Sequence, residues 1–334
     1  MTADATLVLA WLILAHLAAD FLLQTESMVA DKFLGGRRGW NGLLLHGTAV
    51  ALCLIPAVAA FDLRGLALLV TVSVGHVVID RWKVRATRRA ESRALAAAHR
   101  RHEQPTTAGL GPAWTPLPGA LFILDQLAHL ALIAGAWVVF ISGLPPVAQF
   151  VDVVDGILGP ADRTTVHRVV LVGVVLLSLA IVNVRAGALF VATLVRPREA
   201  ISGVEPGEER GDVPVAAFTA PRSWRLPFGT LGATPEPMLP EPSSYGGAPA
   251  KGGRASPSQI GATIGVLERL LIVTFVLTGS TAAVGFVVGA KTLARFRQLD
   301  DRDFAEYYLL GTLASVAVAL GSGLLAAAAL ATVR

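Results

Sequence analysis

Seven stretches of this chain run for about 20 residues each with few charges, and that pattern leaves little choice of fold. They fall at about 5–24, 40–61, 65–84, 117–141, 166–195, 262–279 and 303–332, each close to the length that crosses the hydrocarbon core of a bilayer. Lipid offers no water to a backbone polar group, so the helix, which satisfies its own amides, is the open choice. The expected fold is all-α, a polytopic bundle of about 7–8 transmembrane helices. The stretch at about 281–298 begins after Gly279-Ser280 and ends in Lys291, Arg295 and Arg297. It reads as a short eighth span, a re-entrant segment or an interfacial helix.

Composition agrees. Hydrophobic residues make up 54% of the 334 and charged residues 16%, where a soluble domain carries nearer a quarter charged. The pI near 9.6 does not point to nucleic acid, because the basic residues gather beside apolar segments without aromatic interleaving or a nucleic-acid module. With one cysteine, Cys53, neither an intrachain disulfide nor a thiolate zinc cluster can form. The first apolar run lacks a basic start and carries His16 and Asp20, unlike a cleavable signal peptide.

Loop charge sets the expected orientation. At the end of the third span and beyond it come Arg81, Lys83, Arg85, Arg88, Arg89, Arg93, Arg100 and Arg101; the next loop carries Asp152, Asp155 and Asp162. The positive-inside rule then puts 85–116 in the cytoplasm, and 142–165 and the N-terminus outside. Counting 281–298 as a span also brings Lys291, Arg295 and Arg297 inside, which favours eight. Residues 196–258 are rich in Pro and Gly, as in Thr234-Pro235-Glu236-Pro237. They bury too little apolar surface to offset ordering entropy and read as a disordered cytoplasmic linker. The linker separates a five-helix membrane bundle, 1–195, from a C-terminal membrane unit, 259–334.

Inside the apolar spans stand groups that lipid rejects. The first span has His16 and Asp20, the third His76 and Asp80, the fourth Asp125 and His129, and His46 begins the second. Residues four apart share a helix face, so each pair aims both groups at one point. On the expected topology the fourth span runs opposite to the first and third, and its motif is reversed too. Each aspartate therefore lies nearer the cytoplasm than its histidine. At about 1.5 Å rise per residue most of these groups lie roughly 6–12 Å from the cytoplasmic helix ends, with His46 in the same slab.

An aspartate at a helix centre costs about 2.5–3.5 kcal/mol to insert, and such groups usually face a bundle interior and mark function. Imidazole with carboxylate suits zinc, iron or manganese. The seven residues His16, Asp20, His46, His76, Asp80, Asp125 and His129 exceed the needs of one tetrahedral ion. They are enough for two ions about 3.5–4 Å apart, or for one with carboxylates orienting its histidines. The alternatives are a proton or ion relay and a hydrogen-bond network that only joins helices.

Gln24, Lys32, Lys83 and Gln126 flank this set and suit an anionic group or an oriented water. The two lysines are better explained as snorkelling or inside-loop charges. Asn183, Arg185, Glu268 and Arg269 lie in later apolar runs, and an Arg185–Glu268 pair is expected to join the two membrane units. His99 and His102 lie outside the spans and His167 at the edge of one, and all three read as solvated. Gly35-Gly36 fits no phosphate loop, and the chain has no Walker or dinucleotide pattern.

The runs His16-x3-Asp20-Phe21-x2-Gln24, Lys32, His46, His76-x2-Ile79-Asp80-x2-Lys83 and Asp125-Gln126-x2-His129 resemble domain-of-unknown-function family 3307, uncharacterised bacterial multi-pass membrane proteins. Gly265-Val266-Leu267-Glu268-Arg269, Ala290-Lys291, Arg295-Phe296 and Ala305-Glu306-Tyr307 resemble the tail of its longer members. The likeness covers about 1–140 and 260–320 and implies a bacterial inner (plasma) membrane. The first region is also loosely similar to membrane-bound metal-dependent hydrolases.

The expected function is thus a metal-dependent hydrolase of a lipid-like or phosphorylated amphiphile, with a divalent metal near the cytoplasmic face and Asp20 or Asp80 as general base. A divalent-cation or proton transporter and a non-catalytic scaffold are the alternatives. A transporter predicts broken helices, a continuous polar path and repeats; only the Gly279-Ser280 break speaks for it.

Overall fold

The structure is a computed structural model that describes residues 3–100, 114–159, 162–195 and 257–332. The expected linker at 196–258 lies outside the described residues, except where the next helix begins. Among the described residues every regular element is helical. The chain runs α1 (Ala3–Ala18), a π-turn (Ala19–Leu23), α2 (Glu26–Leu34), α3 (Gly36–Arg100), α4 (Leu117–Phe140) and α5 (Ala148–Leu158). It continues through α6 (Arg163–Ile181), a second π-turn (Val182–Ala186), α7 (Gly187–Leu194), α8 (Pro257–Leu277), α9 (Ala282–Ala294) and α10 (Arg302–Ala331).

Among the described residues, five helices are long and apolar enough to cross a membrane: Ala5–Leu23, Gly36–Ala98, Leu117–Phe140, Arg163–Leu194 and Arg302–Ala331. Large apolar side chains such as Leu52, Val78, Val139 and Leu325 face outward, as lipid solvent permits. At 13 residues, α9 is about 20 Å long, short of the roughly 30 Å hydrocarbon core.

α3 is a hairpin of two limbs. Asp62 breaks it with φ 50° and ψ −129°, a positive-φ conformation rare outside glycine. A Cβ on Gly65 would fall 2.0 Å from the Ala57 carbonyl oxygen, so only glycine lets the limbs turn back this tightly. Residues equidistant from the turn then lie level, and His46 and His76 stand almost symmetrically about it. The second limb does not stop at residue 84 but stays helical to Arg100. Alanine and arginine, which dominate this stretch, are strong helix formers in water. Part of the expected loop 85–116 is therefore helix, and the expected outer loop contains α5.

One core joins α1, both α3 limbs and α4 through Leu12, Val50, Leu68, Val72, Ile133 and Trp137. A second joins α6, α8, α9 and α10 through Leu171, Val175, Ile272, Val284 and Ala319. α6 also packs on α1 through Val174, Ile181, Leu14 and Leu17. Gly42 lets α2 lie against the first α3 limb, since a Cβ there would come 2.9 Å from the Lys32 amide nitrogen and the Met28 carbonyl oxygen. That close seat places Lys32.

Candidate metal centre

The seven histidines and aspartates singled out above come together between α1, its π-turn, both α3 limbs and α4, and none is more than 8% exposed. At the centre, the His46 and His76 Nε2 atoms lie 2.9 Å apart. Asp20 Oδ1 is 3.2 Å from the first and 3.3 Å from the second, yet it has no hydrogen-bond partner. Ligands held 2.0–2.1 Å from a tetrahedral zinc stand roughly 3.3 Å apart. The triangle thus has the spacing of three co-ligands. Asp80 Oδ2 stands 3.8 Å from His46 Nε2 and 4.0 Å from His76 Nε2, in place for a fourth.

His16 and His129 lie beside this triangle. The His129 ring centroid is 3.9 Å from that of His76 and 5.1 Å from that of His16. Neither ring has a hydrogen bond at either nitrogen; the nearest acids, Asp20 for His16 and Asp125 for His129, are 3.7 Å away. His46 Nδ1 and Asp125 Oδ1 are also without partners. An unsatisfied buried polar atom costs about 1–3 kcal/mol, so this many together rival the whole stability of a domain, about 5–15 kcal/mol. Three overlapping groups have ligand atoms within 4.8 Å of one another: His16–Asp20–His129, Asp20–His46–His76 and His76–Asp80–His129. These buried sets can hold a metal ion.

The lysines are not the snorkelling charges the sequence suggested. Lys32 is buried, 6% exposed, and its Nζ donates to Asp80 Oδ2. Lys83 Nζ donates to Asp125 Oδ2 at 2.6 Å. Each meets a carboxylate in a neighbouring element, and a pair buried in this way is held by its partner rather than by the membrane surface. Gln126 donates to Asp125 Oδ2 at 3.0 Å and to Asp20 Oδ2 at 3.4 Å. The Gln24 carboxamide, turned as its neighbours require, donates to the Asp20 carbonyl at 3.2 Å and accepts from Lys32.

The π-turn that carries Asp20 had no signal in the sequence; such widened turns are frequent at functional sites. Arg81, Arg85 and Arg88 were read only as loop charge, although their spacing puts them on one face directly beyond Asp80. With Lys32 and Trp40 they line a cavity of about 340 Å³.

The expected Arg185–Glu268 pair is absent. Arg185 Nε donates to the Phe21 carbonyl at 3.3 Å, and Glu268 accepts from Lys291 at 2.7 Å. The deeper cation is Arg269, 3% exposed, which donates to the Asn183 carbonyl at 2.7 Å and to Ser315 Oγ at 3.0 Å. The second π-turn contains Asn183, and there Arg269 meets it. His167 is half-buried rather than solvated, while the side chains of His99 and His102 lie outside the described residues.

Residues 8–157 match the model of a family described as "Protein of unknown function (DUF3307)". The match takes in a little under half of the chain and every residue of the centre, and it supports the resemblance to this family. No curated protein and no solved structure matches, so the looser likeness to metal-dependent hydrolases has no support from these comparisons.

Proposed function

We propose that the centre holds a divalent metal, zinc, manganese or iron, and that the protein is a metal-dependent hydrolase of a lipid-like or phosphorylated amphiphile. The reading is carried by the Asp20, His46 and His76 triangle, whose spacing suits co-ligands while Asp20 Oδ1 makes no hydrogen bond. In this reading those three residues hold one ion, with Asp80 in reach as a further ligand, and His16 and His129 with Asp20 provide for a second. A bound divalent metal supplies hydroxide at neutral pH by lowering the pKa of its water to about 7. Asp80, paired with Lys32, is placed to accept a proton where it does not itself ligate the ion.

The protein is read as an inner-membrane protein of about seven spans, counting the α3 limbs separately and including α8. The arginine-rich end of the second α3 limb faces the cytoplasm, the N-terminus lies outside, and the centre sits near the cytoplasmic face. A relay is the second reading, favoured by the row of four imidazoles from His46 through His76 and His129 to His16.

Detergent-purified protein reconstituted with each metal is to be incubated with phosphoester and acyl-ester amphiphiles. Product should form with one metal, stop on chelation and be absent in Asp80→Asn. A metal-loaded protein that hydrolyses none of them, but carries protons across proteoliposomes, would turn the reading to the relay.

A further inference from the structure

The cavity beside the centre has a chemistry of its own. Its walls include Lys32, Trp40, Arg81, Arg85 and Arg88, with Gly36 at the first turn of α3. Its volume of about 340 Å³ lies at the lower end of small-molecule sites, which run roughly 300–1,000 Å³. Arg81, Arg85 and Arg88 recur at the spacing of one helix face. Among the described residues none of the three has a carboxylate partner, whereas Lys32 is matched by Asp80 and Lys83 by Asp125. Arg81 is half-buried, its guanidinium 3.9 Å above the Trp40 ring, which fixes its plane. Interfacial charges that only set topology need no cavity and no such orientation. The opening amides of α3 add donors and the positive end of a helix dipole to the same wall.

We propose that this cavity binds a phosphate group, and that the amphiphile taken at the metal centre is therefore phosphate-bearing. Three guanidinium forks around one space suit a tetrahedral group of nearly two negative charges with several terminal oxygens. A carboxylate has one charge and two oxygens and leaves guanidinium groups unmatched. Lys32 ties the two places together, since it lines the cavity and its Nζ holds Asp80. A phosphate seated among the arginines thus lies next to the metal ligands, while the exposed Trp40 ring offers an apolar wall to the stem. Calling the ligand a substrate rests on the hydrolase reading; the phosphate site itself stands on the cavity.

The test is calorimetric titration of the full-length protein in detergent with three probes. They are inorganic phosphate, a short-chain phosphomonoester lipid, and a carboxylate amphiphile of the same chain length. The phosphomonoester lipid should bind roughly tenfold or more tightly than the carboxylate, and Arg81→Gln/Arg88→Gln should lose that preference. Binding of inorganic phosphate as well would mean that the group alone is recognised, and binding of the lipid alone that a membrane headgroup is. Should the double variant not fold, Arg85→Gln should weaken lipid binding measurably with an unchanged melting temperature. Equal binding of the carboxylate, no binding of either phosphate probe, or variants that bind as the wild type would overturn the proposal. Metal content of the same samples separates the two readings: phosphate bound without metal leaves this site and removes the hydrolase, and metal without phosphate binding does the reverse.

Discussion

Around His46 and His76, imidazoles and carboxylates converge on one point; around Arg269, contacts radiate outward to separate helices. The first cluster brings two ring nitrogens and a carboxylate oxygen within 3.3 Å of one another. The second spends one guanidinium on a backbone carbonyl of the second π-turn and a hydroxyl of α10. A Cβ on Gly187 would lie 3.1 Å from Arg269 Nε, so helices close tightly over that side chain. Among the described residues, no metal-ligand group forms there. Burial alone therefore does not mark a site in a membrane protein. Convergence of ligand atoms does, whereas divergence ties helices together.

In His46→Ala/His76→Ala, bound metal should fall by more than about tenfold, as expected when two ligands are removed; plasma mass spectrometry of the purified protein reads this. Retention of metal by that variant would put the ligands elsewhere. Next in size, Lys83→Met leaves Asp125 buried without its cation. It should cost about 3 kcal/mol, at the low end for a broken buried pair because Lys83 keeps a quarter of its exposure. Lys83→Met/Asp125→Leu should recover much of the loss in a thermal melt.

Arg269→Met should lower stability by about 2 kcal/mol, the scale of hydrogen bonds from a charged donor, with metal content unchanged. If the metal were lost too, the contrast between the clusters would fail. Smallest, Gly42→Ala should cost about 1–2 kcal/mol by pushing α2 from its seat. Because α2 carries Lys32, it should also weaken binding of the phosphomonoester lipid, which the same titration measures.

Much of the first cluster was legible because its spacing is local. His16 with Asp20, His76 with Asp80, and Asp125 with His129 each sit four apart, and helical geometry alone puts such pairs on one face. His46 joined them through the symmetry of a hairpin whose turn the apolar runs had already located. Lys32 and Asp80 lie 48 positions apart; their meeting depends on how closely α2 seats at Gly42, a packing fact without periodic signature. The same holds for Arg269, which meets Asn183 only because a π-turn widens the helix there. Neighbouring charges at Glu268 and Arg185 invited the wrong pairing. Helix boundaries suffered where hydropathy and propensity diverge: the second α3 limb leaves the apolar run after residue 84, and its alanines and arginines carry the helix on.

X-ray absorption at the metal edge of the reconstituted, full-length protein, recorded beside Asp20→Asn, tests whether the triangle holds a metal. Ligation by His46, His76 and Asp20 predicts nitrogen and oxygen neighbours about 2.0–2.1 Å from zinc, with the outer-shell scattering of two imidazoles, and a changed first shell in the variant. A protein that takes up no metal, or one whose spectrum lacks imidazole scattering and is the same in Asp20→Asn, would contradict it.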